Sequence, residues 1–156
     1  MRSADLRYMR MALDACRQGI ESGQTPFGAC IVRADAVLAC KHNRVWSRTD
    51  ITAHAEIEAI RAACRHVGRI HLVEATIYST TEPCPMCFSA IHWSQIRRIV
   101  YGATVIDARS FGFNELQISN EVMIQTSCSD IELKKEVLRE EALELYRIWQ
   151  ERGKAY

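Results

Sequence analysis

Two short segments carry the residue types most capable of chemistry. The first, "TAHAEIEAIR" (52–61), places His54 and Glu56 two residues apart at the start of an amphipathic pattern. The second, "EPCPMC" (82–87), places Cys84 and Cys87 three residues apart, just before another helical pattern. Residues two apart on a helix do not face each other, so His54 and Glu56 would meet only at a third group. A metal ion is such a group.

The histidine and the two cysteines match the ligand preferences of zinc. Zinc takes nitrogen and sulfur ligands in a tetrahedron, and a catalytic site keeps one of the four positions open for water. Cys84 and Cys87 lie one turn apart at a predicted helix start, where the helix dipole favours thiolates. A structural site would want a fourth protein ligand, and Cys128 stands alone. His54 is the best third ligand, which leaves one position open.

Each segment also has an ordinary interpretation when it is considered alone. A lone C-x-x-C can be a redox pair, although the aromatic context typical of such a pair is missing here. A lone H-x-E is usually part of a solvated helix face. The two segments together are a stronger signal, because each supplies what the other lacks.

The combination of H-x-E with a following P-C-x-x-C resembles the signature of zinc-dependent nucleobase deaminases. On "AHAE" and "EPCPMC", and on the order of elements over about residues 5–115, the chain is identified as a member of the cytidine deaminase-like superfamily. The resemblance implies that His54, Cys84 and Cys87 hold Zn²⁺ and that Glu56 is the catalytic proton shuttle. It also implies an α/β fold, a three-layer α-β-α sandwich around a mixed five-stranded sheet.

The remaining pattern supplies elements that position these segments. The spacing of apolar residues predicts a first helix over about 3–22, and "FGACIVR" with "AVLACKHN" predicts a β-hairpin. Thr52 is the predicted N-cap of the helix that carries Glu56, and Gly68 is its predicted stop. The segment "RVWSRTDI" is predicted to be a loop. The other predicted elements, in chain order, are the strand "ATIYST", a helix after "EPCPMC", the strand "RRIVYGA", a short helix within "TVIDARSFGFNELQISNEVM", the strand "IELKKEV" and the terminal helix "LREEALELYRIWQER".

Length and composition indicate one globular domain over residues 1–156. Apolar residues make up 48% and charged residues 25%, and 20 Lys and Arg nearly balance 19 Asp and Glu. A protein that binds nucleic acid phosphates usually shows a basic bias, so nucleic acid is an unlikely partner, although a local patch stays open. No apolar run approaches transmembrane length, and the N-terminus resembles a polar-faced helix more than a signal peptide. We expect a cytoplasmic protein with no membrane partner.

The cysteine count adds to this expectation. Seven cysteines, an odd number without a secretory signal, predict thiols and not a disulfide framework. Four of them have apolar neighbours and are predicted to be buried small hydrophobic residues: Cys16, Cys30, Cys40 and Cys64.

Several further residues bear on the substrate. "PFGA" (26–29) and "HNRV" (42–45) resemble the branch of guanine deaminases and transfer RNA adenosine deaminases, which implies that Asn43 hydrogen-bonds the base and that Phe27 belongs to the same pocket. "AIHWSQIRRIVYGA" resembles bacterial guanine deaminases and implies that Trp93 walls the pocket. Considered alone, Asn43 is as readily a turn residue, and Trp93 is more often core. The backbone N–H near Ala55, at a helix start, is a candidate to hold a substrate oxygen.

The C-terminal third extends the resemblance to guanine deaminases. "SFGFNEL" implies that Glu115 accepts hydrogen bonds from the ring N–H and the 2-amino group of guanine, although Asn114 stands where that pattern has Asp. The terminal "GKAY" implies that Tyr156 is a lid residue. It also implies a homodimer in which the C-terminal segment, about 136–156, is exchanged between subunits.

The expected function is zinc-dependent hydrolytic deamination of a free nucleobase or nucleoside, foremost of guanine to xanthine and ammonia. The alternatives are a transfer RNA adenosine deaminase, a cytosine or cytidine deaminase, and an inactive zinc-stabilised scaffold. The intact Glu56 argues against the scaffold, because a scaffold has no need of a proton shuttle.

Overall fold

A mixed five-stranded sheet forms the middle layer of the protein, as predicted. The computed structural model describes residues 3–152 and 155–156. The strands are β1 (Gly28–Arg33), β2 (Ala36–His42), β3 (Thr76–Thr81), β4 (Arg98–Ala103) and β5 (Glu132–Lys134). In space β1 lies between β2 and β3 and is antiparallel to both, and β4 and β5 continue parallel to β3.

Helices cover the sheet in two layers. The first and last helices contact each other and the sheet, and the third and fourth form a second contacting pair. Among the described helices, none is long and apolar enough to span a membrane. The helices are α1 (Ser3–Glu21), α2 (Val45–Arg48), α3 (Ala55–Val67), α4 (Pro85–Trp93), α5 (Val105–Ser110), α6 (Asn120–Ser127) and α7 (Arg139–Gln150).

The core explains why the middle strands read as continuous apolar runs. β1 is buried along almost its whole length, because helices cover both of its faces. A side chain at Gly28 would collide with the backbone of Ala12 and Cys16, so only glycine lets α1 pack this closely on β1. The buried face of α1 repeats at the helical spacing seen in the sequence, which confirms the first predicted helix.

The start of α3 differs from the prediction. Its N-cap is His54, and the helix begins at Ala55, so Thr52 is not the cap. The reason is local: the backbone N–H and the hydroxyl of Thr52 both donate to Asp50 Oδ1, at 2.8 and 2.6 Å. This turn holds the residues before His54 out of the helix. Gly68 ends the helix with a left-handed φ of 67°, as predicted. The preceding segment, predicted to be a loop, contains the short helix α2.

Cys30 and Cys40, which were predicted to be separate thiols, form a disulfide in the structure. They lie opposite each other in the register of β1 and β2, with their Cα atoms 4.1 Å apart. Side chains directly opposite in an antiparallel pair lie close enough to bond, and this pairing depends on the hairpin register. The other five cysteines are free.

Candidate metal centre

The starts of α3 and α4 bring the three predicted metal ligands together. His54 is the N-cap residue of α3 and Cys84 that of α4, both with extended backbone. An N-cap side chain usually bonds to the first turn of its own helix, but neither of these does so. Both point instead into the space between the two helices. Cys87, one turn into α4, completes the group, and Pro85 at the first helical position suits the helix start.

The geometry of this group fits zinc. Nδ1 of His54 lies 3.7 Å from Sγ of Cys84 and 3.5 Å from Sγ of Cys87, and the three atoms lie within 4.8 Å of one another. Bonds of about 2.3 Å to sulfur and about 2.0 Å to nitrogen, at tetrahedral angles, separate nitrogen and sulfur by about 3.5 to 3.6 Å. Within residues 3–152 and 155–156, no other group of this size has the geometry to hold a metal.

The electrostatics of the group favour metal binding. The hydrogen bond from Cys87 lowers the pKa of the Cys84 thiol to about 4, because this bond and His54 together outweigh burial. The same hydrogen bond and burial raise the pKa of Cys87. Burial disfavours the charged form of His54, but the hydrogen bond to Cys84 and the charge of Glu56 raise its pKa overall. The site therefore already holds one thiolate, the form that binds metals, and a divalent cation would favour the second.

Glu56 lies buried beside the metal group. It is 5% exposed, and its Oε2 accepts a hydrogen bond from Cys87 Sγ at 3.5 Å. Its Oε1 accepts a hydrogen bond from the Ser79 hydroxyl at 2.9 Å. Burial raises the pKa of Glu56, which keeps a proton on the carboxyl more readily than in water.

A cavity of about 310 Å³ opens next to the group, a size typical of small-molecule sites. Glu115 lines this cavity, and burial, followed by the charge of Cys84, raises its pKa to about 7. A smaller recess, also lined by Glu115, contains Phe27 and Glu56. The other residues that line the larger cavity are Ile51, His54, Cys84, Pro85, Met86, Phe113, Asn114, Leu116 and Tyr156.

Asn43 does not line the cavity itself, but it bonds to Tyr156, which does. Asn43 is fully buried, and its Oδ1 accepts a hydrogen bond from the backbone N–H of Val45 at 3.0 Å. This contact orients Nδ2, which donates to the Tyr156 hydroxyl at 2.8 Å. Tyr156 thus lies over the pocket of its own chain, with its ring 6.0 Å from that of His54.

Ala55 and Trp93, both predicted to contact the substrate, differ in their distance from the metal group. Ala55 is buried at the first position of α3, directly after the ligand His54. Trp93 is the last residue of α4 and does not line the cavity of its own chain. The residue is 78% exposed. At a rise of about 1.5 Å per residue, the end of α4 lies about 12 Å from its start at the metal group.

Sequence reasoning missed two buried residues: Ser79, which lies within β3, and Glu82, which directly follows it. Ser79 holds Glu56, and Glu82 bonds to the backbone of two later helices. Neither residue belongs to a spacing pattern from which these hydrogen bonds could be predicted. The one available signal was position: Glu82 directly precedes "PCPMC" at the end of a predicted strand.

The fold and the metal group together define a zinc-binding α/β protein. A family model described as the cytidine and deoxycytidylate deaminase zinc-binding region matches residues 2–103. The chain belongs to this deaminase family, which confirms the resemblance inferred from "AHAE" and "EPCPMC".

Relatives within this family carry names for different substrates. Guanine deaminase from Bacillus subtilis (strain 168) is 38% identical over 116 residues, which cover 74% of this chain and 74% of the relative. A tRNA-specific adenosine deaminase from Buchnera aphidicola subsp. Schizaphis graminum (strain Sg) is 34% identical over 141 residues, 90% of each chain. The solved guanine deaminase from Nitrosomonas europaea has a TM-score of 0.86 and 27% identity, covering 94% of this chain and 84% of that one. Family membership alone therefore does not choose the base.

Proposed function

We propose that this protein is a zinc-dependent aminohydrolase that converts guanine and water to xanthine and ammonia. One observation carries the proposal: the buried carboxylate of Glu56 touches the metal group, while a second carboxylate, Glu115, lines the adjoining cavity. The first suits proton transfer at the attacked carbon. The second suits a base edge that presents hydrogen-bond donors.

His54, Cys84 and Cys87 are the residues that would hold the ion. Zinc bound there would supply a water whose pKa is lowered towards neutrality. Glu56 would not be a ligand, and it would take a proton from that water. It would pass the proton to the ring nitrogen next to the attacked carbon. Glu56 would then move the proton of the added hydroxyl to the exocyclic amine, so that the C–N bond breaks, a C=O bond forms and ammonia leaves. The raised pKa of Glu56 suits a group that must both accept and release a proton.

The pocket residues suit guanine because their hydrogen-bonding groups complement its edges. The Glu115 carboxylate would accept hydrogen bonds from the ring N–H and the 2-amino group, an adjacent pair of donors that adenine does not offer. Asn43 would donate from Nδ2 to the ring carbonyl oxygen, since its own carbonyl is held by Val45. The backbone N–H of Ala55 would support the developing oxygen charge. Phe27 would pack against the base, and Tyr156 would close over it.

The second candidate is a transfer RNA adenosine deaminase. The Buchnera relative with that name matches 90% of this chain, a larger share than the Bacillus guanine deaminase matches. Such an enzyme needs basic contacts to phosphates, so its binding would weaken steeply with salt. Binding of a free base would not.

Ammonia release from a substrate panel tests the proposal. The zinc-loaded protein is offered guanine, guanosine, adenine, cytosine, cytidine and a transfer RNA anticodon stem-loop, and metal analysis is run in parallel. We expect about one zinc per chain and rapid conversion of guanine to xanthine. Deamination of the stem-loop with no reaction of guanine would establish the second candidate instead. An active protein without zinc would overturn both.

A homodimer is part of the proposal. Trp93 presents an apolar surface, 78% exposed, that a partner subunit would cover. Sedimentation velocity should give the mass of a dimer, and Trp93→Ser should shift it towards the monomer. A monomeric wild type would remove this part. Exchange of the segment 136–156 between subunits stays a prediction.

A further inference from the structure

Glu82 lies between β3 and the metal ligand Cys84, and the chemistry proposed above does not use it. It directly follows β3, two residues before Cys84, and is 4% exposed. Its backbone N–H donates to the carbonyl of Ala103 at 2.8 Å, which fixes it against the end of β4. The side chain is therefore buried between the ends of β3 and β4.

The carboxylate of Glu82 accepts hydrogen bonds from the first residues of two helices. Oε2 accepts from the backbone N–H of Val105 at 3.2 Å, and Oε1 from that of Asn120 at 2.8 Å. Val105 begins α5 and Asn120 begins α6. A helix start has no internal acceptors for its first N–H groups.

The N-cap side chains do not reach these donors. Thr104, the cap of α5, accepts from the backbone N–H of Asp107, and Ser119, the cap of α6, accepts from that of Val122. The two N–H groups at the first helical positions are therefore satisfied by Glu82. One carboxylate completes two helix starts that are 15 residues apart in sequence.

The segment between these two attachment points carries the wall of the cavity. Phe113 and Glu115 both lie in residues 106–119 and line the cavity. Arg109 donates to the backbone carbonyl of Glu115 at 2.8 Å, which links α5 to this stretch. Holding both ends of the segment limits where Glu115 can lie.

A further contact joins the start of α6 to the residue that precedes Cys84. Asn120, fully buried, donates from Nδ2 to the carbonyl of Pro83 at 2.6 Å, and Pro83 directly precedes Cys84. The start of α6 is thus bonded to both residues that precede the metal ligand: to the Glu82 side chain and to the Pro83 backbone.

We propose that Glu82 is a positioning residue that sets where the cavity wall bearing Glu115 lies relative to the metal ligand Cys84. This inference rests on the function proposed above for those two residues. A carboxylate suits the role because it presents two acceptor oxygens and no donor. An amide would turn an NH₂ group towards one of the two N–H donors.

The test compares Glu82→Gln with a matched control, Asp5→Asn. Asp5 is also a buried carboxylate, 2% exposed, and it accepts hydrogen bonds from Tyr78 and Arg98 away from the cavity. In zinc-loaded protein, Glu82→Gln should raise KM for guanine about tenfold and change kcat by less than about threefold, because a charge-assisted bond is lost. Asp5→Asn should lower the melting temperature and leave KM unchanged. A Glu82→Gln protein that loses stability with an unchanged KM would overturn the proposal.

A readout without substrate separates this inference from the proposed function. Amide hydrogen exchange over residues 105–120 should become faster in Glu82→Gln and stay unchanged there in Asp5→Asn. A chain that deaminates none of the panel would defeat the proposed function, and this comparison would still decide the role of Glu82. Equal exchange in the two variants would refute it.

A second variant keeps the test decisive if Glu82→Gln does not fold. Asn120→Ala keeps the backbone bond to Glu82 and removes the bond to Pro83. Chelator competition should then strip zinc from the variant at several-fold lower chelator concentration, at an unchanged zinc content before the challenge. If the variant resisted the chelator as well as the wild type does, the contact between α6 and Pro83 would have no effect on Cys84.

Discussion

Two charged regions lie towards opposite ends of the parallel strands β3 and β4: one pairs opposite charges, and the other brings acidic groups together. At the start of β4, Arg98 donates to Asp5 at 2.8 and 3.1 Å and to Glu132 at 2.9 Å. Asp5 also accepts a hydrogen bond from the Tyr78 hydroxyl at 3.1 Å. Each charged group there pairs with one of opposite charge, so we refer to Asp5, Tyr78, Arg98 and Glu132 as the paired cluster.

Beyond the other ends of these strands, acidic groups crowd around a histidine. Burial lowers the pKa of His54, but the charges of Glu56, the Cys84 thiolate and Glu115 raise it. Besides burial, the Cys84 thiolate raises the pKa values of Glu56 and Glu115, and Glu56 raises that of Glu115. Such an arrangement costs folding free energy unless a cation enters it. Perturbed carboxyl groups in a cleft are typical of functional sites, and matched ion pairs are typical of structure. We therefore expect the acidic groups near His54 to serve catalysis and the paired cluster to serve stability.

The largest expected effect is at Glu56. Glu56→Gln keeps the shape of the side chain but cannot move a proton, so kcat should fall by about 10² to 10⁴ while zinc is retained. Ammonia release and metal analysis measure the two properties. If turnover stayed close to wild type, Glu56 would not be the shuttle, and the contrast between the two regions would lose its main support.

The paired cluster should respond in stability and not in turnover. Asp5→Asn removes one of the two carboxylates that pair with the partly buried Arg98 and should lower the free energy of unfolding by about 2 kcal/mol. Urea denaturation measures the loss, and the zinc-loaded variant should keep the wild-type kcat. A loss of turnover larger than the unfolded fraction explains would contradict the separation of roles.

Glu115 should affect the choice of base more than the rate of the chemistry. Glu115→Gln should lower kcat/KM for guanine by about tenfold or more, because an acceptor for two donors is replaced by a mixed group. Any turnover of cytosine should be much less affected. Equal losses on both bases would remove Glu115 from recognition of the purine edge.

The smallest effect is a difference in pH dependence between two acids. Burial raises the pKa of Glu115 from its ordinary 4.5 to about 7. Burial opposes ionisation of Asp107 as well, but hydrogen bonds from Arg139 and Thr104 lower its pKa below the ordinary 3.8. A raised acid contributes stability that is present below its ordinary pKa and lost as pH rises through the folded value. A lowered acid contributes stability that is present above its ordinary pKa and lost as pH falls.

These signs can be measured on zinc-stripped protein by urea denaturation at a series of pH values. The stability of wild type relative to Glu115→Gln should decrease from pH 4.5 to about 7. Relative to Asp107→Asn, it should decrease as pH falls below 3.8. Slopes of the same sign would mean that pairing with a cation does not distinguish the two acids.

Much of the fold and of the metal group was predictable because it depends on local patterns. Apolar residues at helical spacing predicted α1, and Gly68 predicted the end of α3, as the structure confirms. The His54, Cys84 and Cys87 trio was recognisable because two of its members are one helical turn apart and the third begins the preceding helix. Residue type and short spacing carry that information without any knowledge of the rest of the chain.

Contacts between distant segments were not predictable in this way. The disulfide between Cys30 and Cys40 depends on hairpin register, and the contact between Asn43 and Tyr156 joins residues 113 apart in sequence. The start of α3 was missed for a local reason: the bonds from Thr52 to Asp50 compete with the helix, so the N-cap is His54 and not Thr52.

The sequence by itself determined the elements and the chemical type of the site, since periodicity and ligand spacing are local properties of the chain. Only the tertiary structure decided which partners each buried carboxylate meets. Glu56, Glu82 and Asp5 are alike in type and all buried. What separates them is the set of partners that the packed strands and helices bring to each: a metal group, two helix starts, and an arginine.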